Sequence, residues 1–463
     1  MEVADRSTKM TKTRRAGLVL ILVSSALSIW WGISLGMSMP GGPLDFQAVY
    51  FGSRTLLSHQ NPYTVKDLDS VYRNESTHVA EVTPKQHILI TLFVNTPATL
   101  LVVAPLALIP LALAQWIWML FTTSSLVVAA YLMWEITANY EPLVSALLIS
   151  FLLLNCEVVF ASGNTAAIVV GGTIICAWCF VRNRYVTLGI IGMAICLVVK
   201  PHDAGFVWLY FFLANRIQRN RALAAAALAC VIAIPAIIWI SSVAPGWFHD
   251  WQSNLTMISA PGGMNDPRPA VVGSINPGNV VSLQAVFSIF NEDARFYNLA
   301  SYAVCSVPIV LWIVYSMRRE FSERRAWFAL AAIAPYTMLV TYHRVYDAKL
   351  LLLCIPACSM LWVRRDVVSR IALVFTSFGI ILNADVPLAV LNILVNKLNL
   401  TTADLTGRLL TTFLARPNQA VLLLMGVFYL WVYLRNAGDQ VRDAGSIQMG
   451  VDSVEKFEAP REA

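Results

Sequence analysis

Apolar stretches of near-spanning length recur along the chain, separated by short polar breaks. They fall at about 17–37, 112–134, 142–160, 163–181, 186–199, 204–215, 222–243, 299–316, 326–341, 348–362, 370–387 and 419–435. The pattern predicts an all-α, polytopic membrane protein: a bundle of about 12 transmembrane helices in one domain, 17–435. A short segment, 1–16, precedes it. A polar tail of mixed charge, 436–463, follows and is expected to be disordered. Three connections are long: 38–111, 244–298 and 388–418.

Two stretches depart from plain spanning helices. "NTPATLLVVAPLALIP" (95–110) is apolar but carries Pro97, Pro105 and Pro110. It reads as a short helix at the membrane interface, because proline removes donors and kinks helices. The runs 186–199 and 204–215 reach only about 21 Å and 18 Å at 1.5 Å per residue. Their junction, "KPHD" (200–203), is therefore expected to sit recessed, where charged backbone is tolerated only beside a protein-enclosed or watery cavity. The alternative is that both helices run further than the apolar pattern.

Charge then orients the bundle. "KMTKTRR" precedes the first run, and "RNR" (182–184), "RIQRNR" (216–221), "RREFSERR" (318–325) and "RRDVVSR" (364–370) lie in later breaks. With the N-terminus cytoplasmic, alternation puts all of these clusters inside and the three long connections outside, as the positive-inside rule requires. The C-terminus is then cytoplasmic as well, and the expected location is the cell (inner) membrane.

Composition narrows the class. The chain is 57% hydrophobic and 13% charged, against about 25% charged in soluble domains, and its mean hydropathy is +0.64. The net charge of +6 lies in the inner loops and implies no nucleic acid. The eight cysteines all fall in or beside apolar runs, which argues against a disulfide framework or a zinc site. No P-loop, G-x-G-x-x-G, H-E-x-x-H or nucleophile elbow occurs, so any chemistry must come from scattered acids and bases. On the expected outer side these are Asp45, Asn61, Tyr63, Lys200, His202, Asp203, Trp251, Arg268, Arg295, His343, Arg344 and Asp347. Ionisable groups at membrane depth are functional candidates by default. Each has a plainer reading too: Asp45 suits a helix N-cap, and Tyr63 and Trp251 suit membrane-boundary anchors.

Several segments, in order, resemble glycosyltransferase family 87, membrane enzymes of the GT-C class typified by mannosyltransferases using polyprenyl-phosphate mannose. They are "DFQAVYFGSRTLLSHQNPYTV" (45–65), "VNTPATLLVVAPLALIPLALAQWIW" (94–118), "SGNTAAIVV" (162–170), "VVKPHDAG" (198–205) and "TYHRVYDAKLLLLCIPA" (341–357). Where the family has tyrosine–proline–proline this chain has "FVNTP", and for Gly-Gln-x-Asn it has "GNTA". The resemblance implies a GT-C bundle and transfer of a sugar, mannose first, from a polyprenyl phosphate to a hydroxyl of a glycolipid or glycan of the cell envelope. It places Asp45 at the catalytic aspartate's position.

The leaving group in such a reaction is a phosphate, so one general base suffices, unlike the carboxylate pair of glycoside hydrolases. A single displacement inverts the anomeric centre. Lys200, His343 and Arg344 are candidates for the donor phosphate. Asn61, Tyr63, His202, Trp251, Arg268, Arg295 and Asp347 are further candidates for substrate contact. No metal cluster stands out in the spacing, so no cofactor and metal independence are expected. The rival class is a multi-pass transporter or flippase, which also has many helices and buried charges. No second copy of the 41–118 pattern marks the repeat a transporter usually carries.

Overall fold

Every one of these apolar runs folds as helix, and the only strands among the described residues are two short ones. The computed structural model describes residues 2–75, 82–269, 280–398 and 404–436. The expected disordered tail lies outside the described residues, save Asn436 at the end of the last helix.

Seven helices are long and apolar enough to cross a membrane: Thr11–Ser38, Leu111–Thr137, Pro142–Ser162, Arg216–Val243, Ala294–Arg318, Val345–Trp362 and Asn418–Arg435. Val367–Leu382 and Asp385–Leu394, bent by 69° at Asn383–Ala384, make an eighth if counted as one span. The sequence pattern had suggested about 12. The four other runs are helices of different character. Thr165–Val181, Val186–Val199 and Pro201–Leu213 have 17, 14 and 13 residues. Glu323–Val340 opens on Glu-Arg-Arg and is buried along most of its length. Helices enclosed by protein need not match the hydrocarbon thickness, since neighbours satisfy what lipid cannot. Lipid-facing helices look different: Arg216–Val243 buries few residues and turns Val231, Ile234 and Ile238 outward.

The long connections are also largely helical. Residues 38–111 hold Leu44–Leu57, Val65–Glu75, Pro84–Thr91 and Pro97–Ala107, the last being a short apolar helix within the proline-bearing stretch 95–110. These pack around Phe46, Phe51, Tyr63, Tyr72 and Phe93, a small core apart from that of the bundle. The 244–298 connection contributes Trp247–Ser259 and a two-residue strand, Val280–Val281, which pairs antiparallel with His343–Arg344. All eight cysteines are free, and all but Cys230 are buried.

One end of the bundle collects the basic loops. Arg14 donates to the carbonyl of Ala138 at 3.0 Å and to Asn139. Arg365 meets Glu141 at 2.8 Å. Arg182 meets Glu323 at 2.8 Å and Glu135 at 3.9 Å, and Arg221 reaches Asn183. From this end Val186–Val199 rises 14 residues, about 21 Å, to Lys200. Pro201–Leu213 returns at once. Both helices of the pair are thus short against a hydrocarbon core about 30 Å thick.

Candidate active site

Asp45 lies in the first turn of Leu44–Leu57, entered through a turn in which Gly41 and Gly42 both have positive φ. Its carboxylate is half-buried, and Oδ2 accepts a hydrogen bond of 2.8 Å from the Asn164 amide. The same Nδ2 donates to the Tyr346 hydroxyl at 3.1 Å. Asn164 is held in turn, because its Oδ1 caps the helix Thr165–Val181 by accepting from the Ala166 N–H. Gly163 makes this approach fit. It ends the preceding helix at φ 65°, and a Cβ there would stand 2.9 Å from that of Phe46. Only glycine takes both that backbone and that contact cheaply.

Tyr346 leads to the cations. The Lys200 ammonium lies 5.6 Å from the centre of its ring. Lys200 Nζ also donates to Asp347 Oδ1 at 2.6 Å and sits 3.1 Å from Asp203 Oδ2. The other Asp203 oxygen is 3.0 Å from His343 Nε2. These two Asp203 contacts are close pairings of charge without hydrogen-bond alignment. The His202 ring packs edge-on to His343 with centroids 5.0 Å apart. Asp347 Oδ2 accepts from the Arg344 backbone N–H at 2.8 Å, so this buried acid holds both Lys200 and the strand that carries His343. The Arg344 side chain donates to oxygens of neutral groups: Tyr342 at 2.5 Å, the Met264 carbonyl at 3.3 Å and Asn265 Oδ1 at 3.2 Å.

Electrostatics separates the roles. Lys200 is compensated by two carboxylates. The charge of Arg344 faces Tyr342, Tyr346 and Asp45. Burial presses the His343 imidazole toward neutrality, but the Asp203 and Asp347 carboxylates outweigh it, and its pKa rises. Burial pushes His202 down to about 3, with His343 and Lys200 adding to the shift and Asp203 opposing it. Burial works to raise Asp203, yet Lys200 and His343 hold it below the usual carboxylate range.

His202, Asp203 and His343 bring potential ligand atoms within 4.8 Å of one another. These are the residues that can hold a metal ion, although Lys200 already supplies Asp203 with a positive partner that an ion would have to displace.

Other sequence candidates stand elsewhere. Tyr63 is a core residue: it is 1% exposed, its hydroxyl donates to the Asn95 carbonyl, and its ring packs on Phe93 and Trp247. No face is left for a sugar to stack on. Asn61 ties its loop to Asp250 at 2.8 Å. Trp251 donates to the Val94 carbonyl at 2.8 Å and lines an apolar groove. Arg268 is engaged by Asp266 at 2.7 Å. Arg295 is exposed at the start of Ala294–Arg318. Lys349, two residues beyond Asp347, pairs with Asp385 at 3.7 Å.

The sequence profile of glycosyltransferase family 87 matches residues 93–342, more than half of the chain. The chain belongs to glycosyltransferase family 87. It is thus a multi-pass membrane glycosyltransferase. No curated protein matches the chain. The family 87 match takes in Asn164 and Lys200–Asp203. Asp45, Arg344, Tyr346 and Asp347 lie beyond its ends and join the site through contact alone. Sequence reasoning had not assigned Asn164 or Tyr346 to the site. Both lie in quoted motifs, "SGNTAAIVV" and "YHRVYDAK", and the signal was there: an Asn placed to cap a helix after Gly, and a Tyr among charges. Asp203, named as an outer polar group but given no role, proves to be the hub between Lys200 and His343.

Proposed function

We propose that this family 87 member transfers a sugar, mannose, from a polyprenyl-phosphate donor to a hydroxyl of a glycolipid or envelope glycan. The reaction takes place on the extracytoplasmic side of the cell membrane. The observation that carries the reading is the Asn164 amide, which donates at once to Asp45 and to Tyr346, whose ring underlies Lys200. A carboxylate and a set of cations from three separate segments are thereby linked through Asn164, from a fourth.

In this reading the acceptor oxygen attacks the anomeric carbon and its proton passes to Asp45. The bond from that carbon to the phosphate oxygen breaks, and its electron pair leaves with the phosphate. A positioned base contributes typically about 10²–10⁴-fold. Positive charge set where the phosphate develops its own favours the transition state over the ground state. Arg344 is the strongest candidate for that contact, because its side-chain partners are neutral, with His343 beside it. Lys200, pinned by Asp203 and Asp347, anchors the cation set. In this reading ammonium, guanidinium and imidazolium supply the charge that a metal ion would otherwise bring, and the reaction is metal-independent. The outward orientation is supported by the gathering of Arg14, Arg182, Arg221 and Arg365 at the other end of the helices that rise to the site.

Purified protein given polyprenyl-phosphate mannose and an acceptor extract is expected to release free polyprenyl phosphate, with or without a chelator. Asp45→Asn is expected to fold and to lose that release. Movement of substrate across vesicles with no release would favour a transporter. Undiminished turnover by the variant would remove Asp45 from the chemistry.

A further inference from the structure

Beyond the catalytic cluster lies a second buried group of charges. Lys349 is 2% exposed and Glu157 4%. The Lys349 ammonium lies 3.7 Å from Asp385 Oδ2, whose side chain is 8% exposed. Glu157 stands within electrostatic reach of both, and its Oε2 has no hydrogen-bond partner among the described residues. Charges enclosed in this way depend on one another and are functional candidates by default. We propose that Lys349 and Asp385 act as a positioning pair for sugar transfer: they aim Tyr346 at Asn164 and so hold Asp45 in place against the cations. This rests on the reading of Asp45 as the base.

The backbone supplies the lever. Val345–Leu353 is a 3₁₀ helix of nine residues, where runs beyond three or four are uncommon because the hydrogen-bond geometry is poor. Such a run needs ties from outside itself. Three residues per turn also set side chains at i and i+3 one above the other. Tyr346 and Lys349 are such a pair, so whatever holds the Lys349 ammonium sets the rotation of the segment that carries Tyr346. Tyr346 accepts the Asn164 amide at 3.1 Å, and Asp347, next along, accepts from Lys200 Nζ at 2.6 Å.

Asp385 reaches the other arm of the same bond. It opens the helix Asp385–Leu398 just past the 69° break. There the Val386 N–H donates to Asn155 Oδ1 at 3.1 Å, and the Val158 N–H faces the Asp385 carboxylate. Residues 155–158 lead into the short helix Glu157–Ser162, which ends at Gly163 and hands the chain to Asn164. One helix break therefore grips both segments that meet at the Asn164–Tyr346 hydrogen bond. An ion pair suits the task, because apolar contact has no direction, whereas a carboxylate fixes where the ammonium ends.

The test is a double-mutant cycle read in kcat, with release of free polyprenyl phosphate from polyprenyl-phosphate mannose as the assay. Lys349→Met is expected to lower kcat by about tenfold or more, since a misplacement of about 1 Å can cost about 10²-fold. The donor's KM is expected to stay close to wild type. Tyr346→Phe, which removes the hydroxyl and keeps the ring, is expected to do the same. The double variant is expected to be no slower than the slower single, because both act through one hydrogen bond. Multiplied losses, or a Lys349→Met that lowers the unfolding midpoint with kcat intact, would overturn the proposal. If Lys349→Met does not fold, Lys349→Met with Asp385→Leu removes both charges together, an exchange that buried ion pairs often tolerate. That variant is expected to recover stability without recovering kcat; recovery of both would overturn the positioning role. The reading of the base fails separately: full turnover by Asp45→Asn would remove the base, and the pair's role with it.

Discussion

The two ends of this bundle handle charge in opposite ways. At the basic end, Arg365 and Glu141 form a pair of 2.8 Å with the arginine side chain 59% exposed, and Arg182 and Glu323 pair with 28% and 40% exposure. At the recessed end, Lys200, Asp203, Asp347 and His343 lie within about 3 Å of a partner with 13%, 0%, 2% and 0% exposure. Exposed pairs gain little because water screens them and solvates each partner alone. Buried charges have no such refuge, so each depends on its neighbours, and losing one strands another. Ionisable groups this deeply enclosed in a membrane protein are functional candidates by default, and the gathered arginines at the other end are what the positive-inside rule reads for orientation, which is why the proposed function places the site at one end and the cytoplasm at the other.

The largest expected effect separates chemistry from scaffold. Asp45→Asn should lower the turnover number by about 10²–10⁴-fold while leaving thermal stability in detergent close to wild type. A variant with unchanged release of polyprenyl phosphate would break the link between the carboxylate and the cluster. Next comes Arg344→Gln, expected to reduce kcat/KM by about 10²-fold through lost stabilisation of the departing phosphate. A change in stability alone, with kinetics intact, would assign Arg344 to its contacts with Met264 and Asn265 instead.

Stability tests the comparison directly. Asp347→Ala removes a partner of buried Lys200 and should cost about 3–5 kcal/mol, read as a lower unfolding midpoint. Arg365→Ala at the basic end should cost under about 1 kcal/mol. Similar costs at both ends would erase the distinction.

The pH dependence follows from His343, which faces Asp203, Asp347, Lys200 and His202. Its pKa is raised on folding, so its pairing with Asp203 stabilises fully below the ordinary histidine value and is lost as pH rises through the higher one. The stability gap between wild type and His343→Gln should therefore narrow on the alkaline side. A gap that widens there would reverse the assigned charge state.

Much of the fold was legible because lipid imposes a simple rule: backbone must be helical and the side chains around it apolar. The short pair flanking "KPHD", the short helix at 97–107 and the gathering of the basic loops at one end all followed from length and charge. The number of spans was less legible, since Thr165–Val181 is apolar along its length but has 17 residues and is mostly buried, and Glu323–Val340 opens on Glu-Arg-Arg and is wrapped by protein. The burial of Tyr63 was hidden for a related reason. Polar residues in an outer loop look alike in sequence, whether they tie helices together or face a substrate.

By itself the sequence determined an all-α membrane bundle, its charge asymmetry and the family of its chemistry, because hydropathy and local motifs are properties of neighbours along the chain. Only the tertiary structure decided that Asn164 bridges Asp45 to Tyr346, and that Lys200 is held by two acids while Arg344 meets neutral oxygens. Apart from the local pairings of Lys200 with Asp203 and of Arg344 with Tyr342, those facts depend on contacts between segments distant in sequence, from 79 residues for Arg344 and Asn265 to 182 for Asn164 and Tyr346, which packing sets and no local pattern encodes.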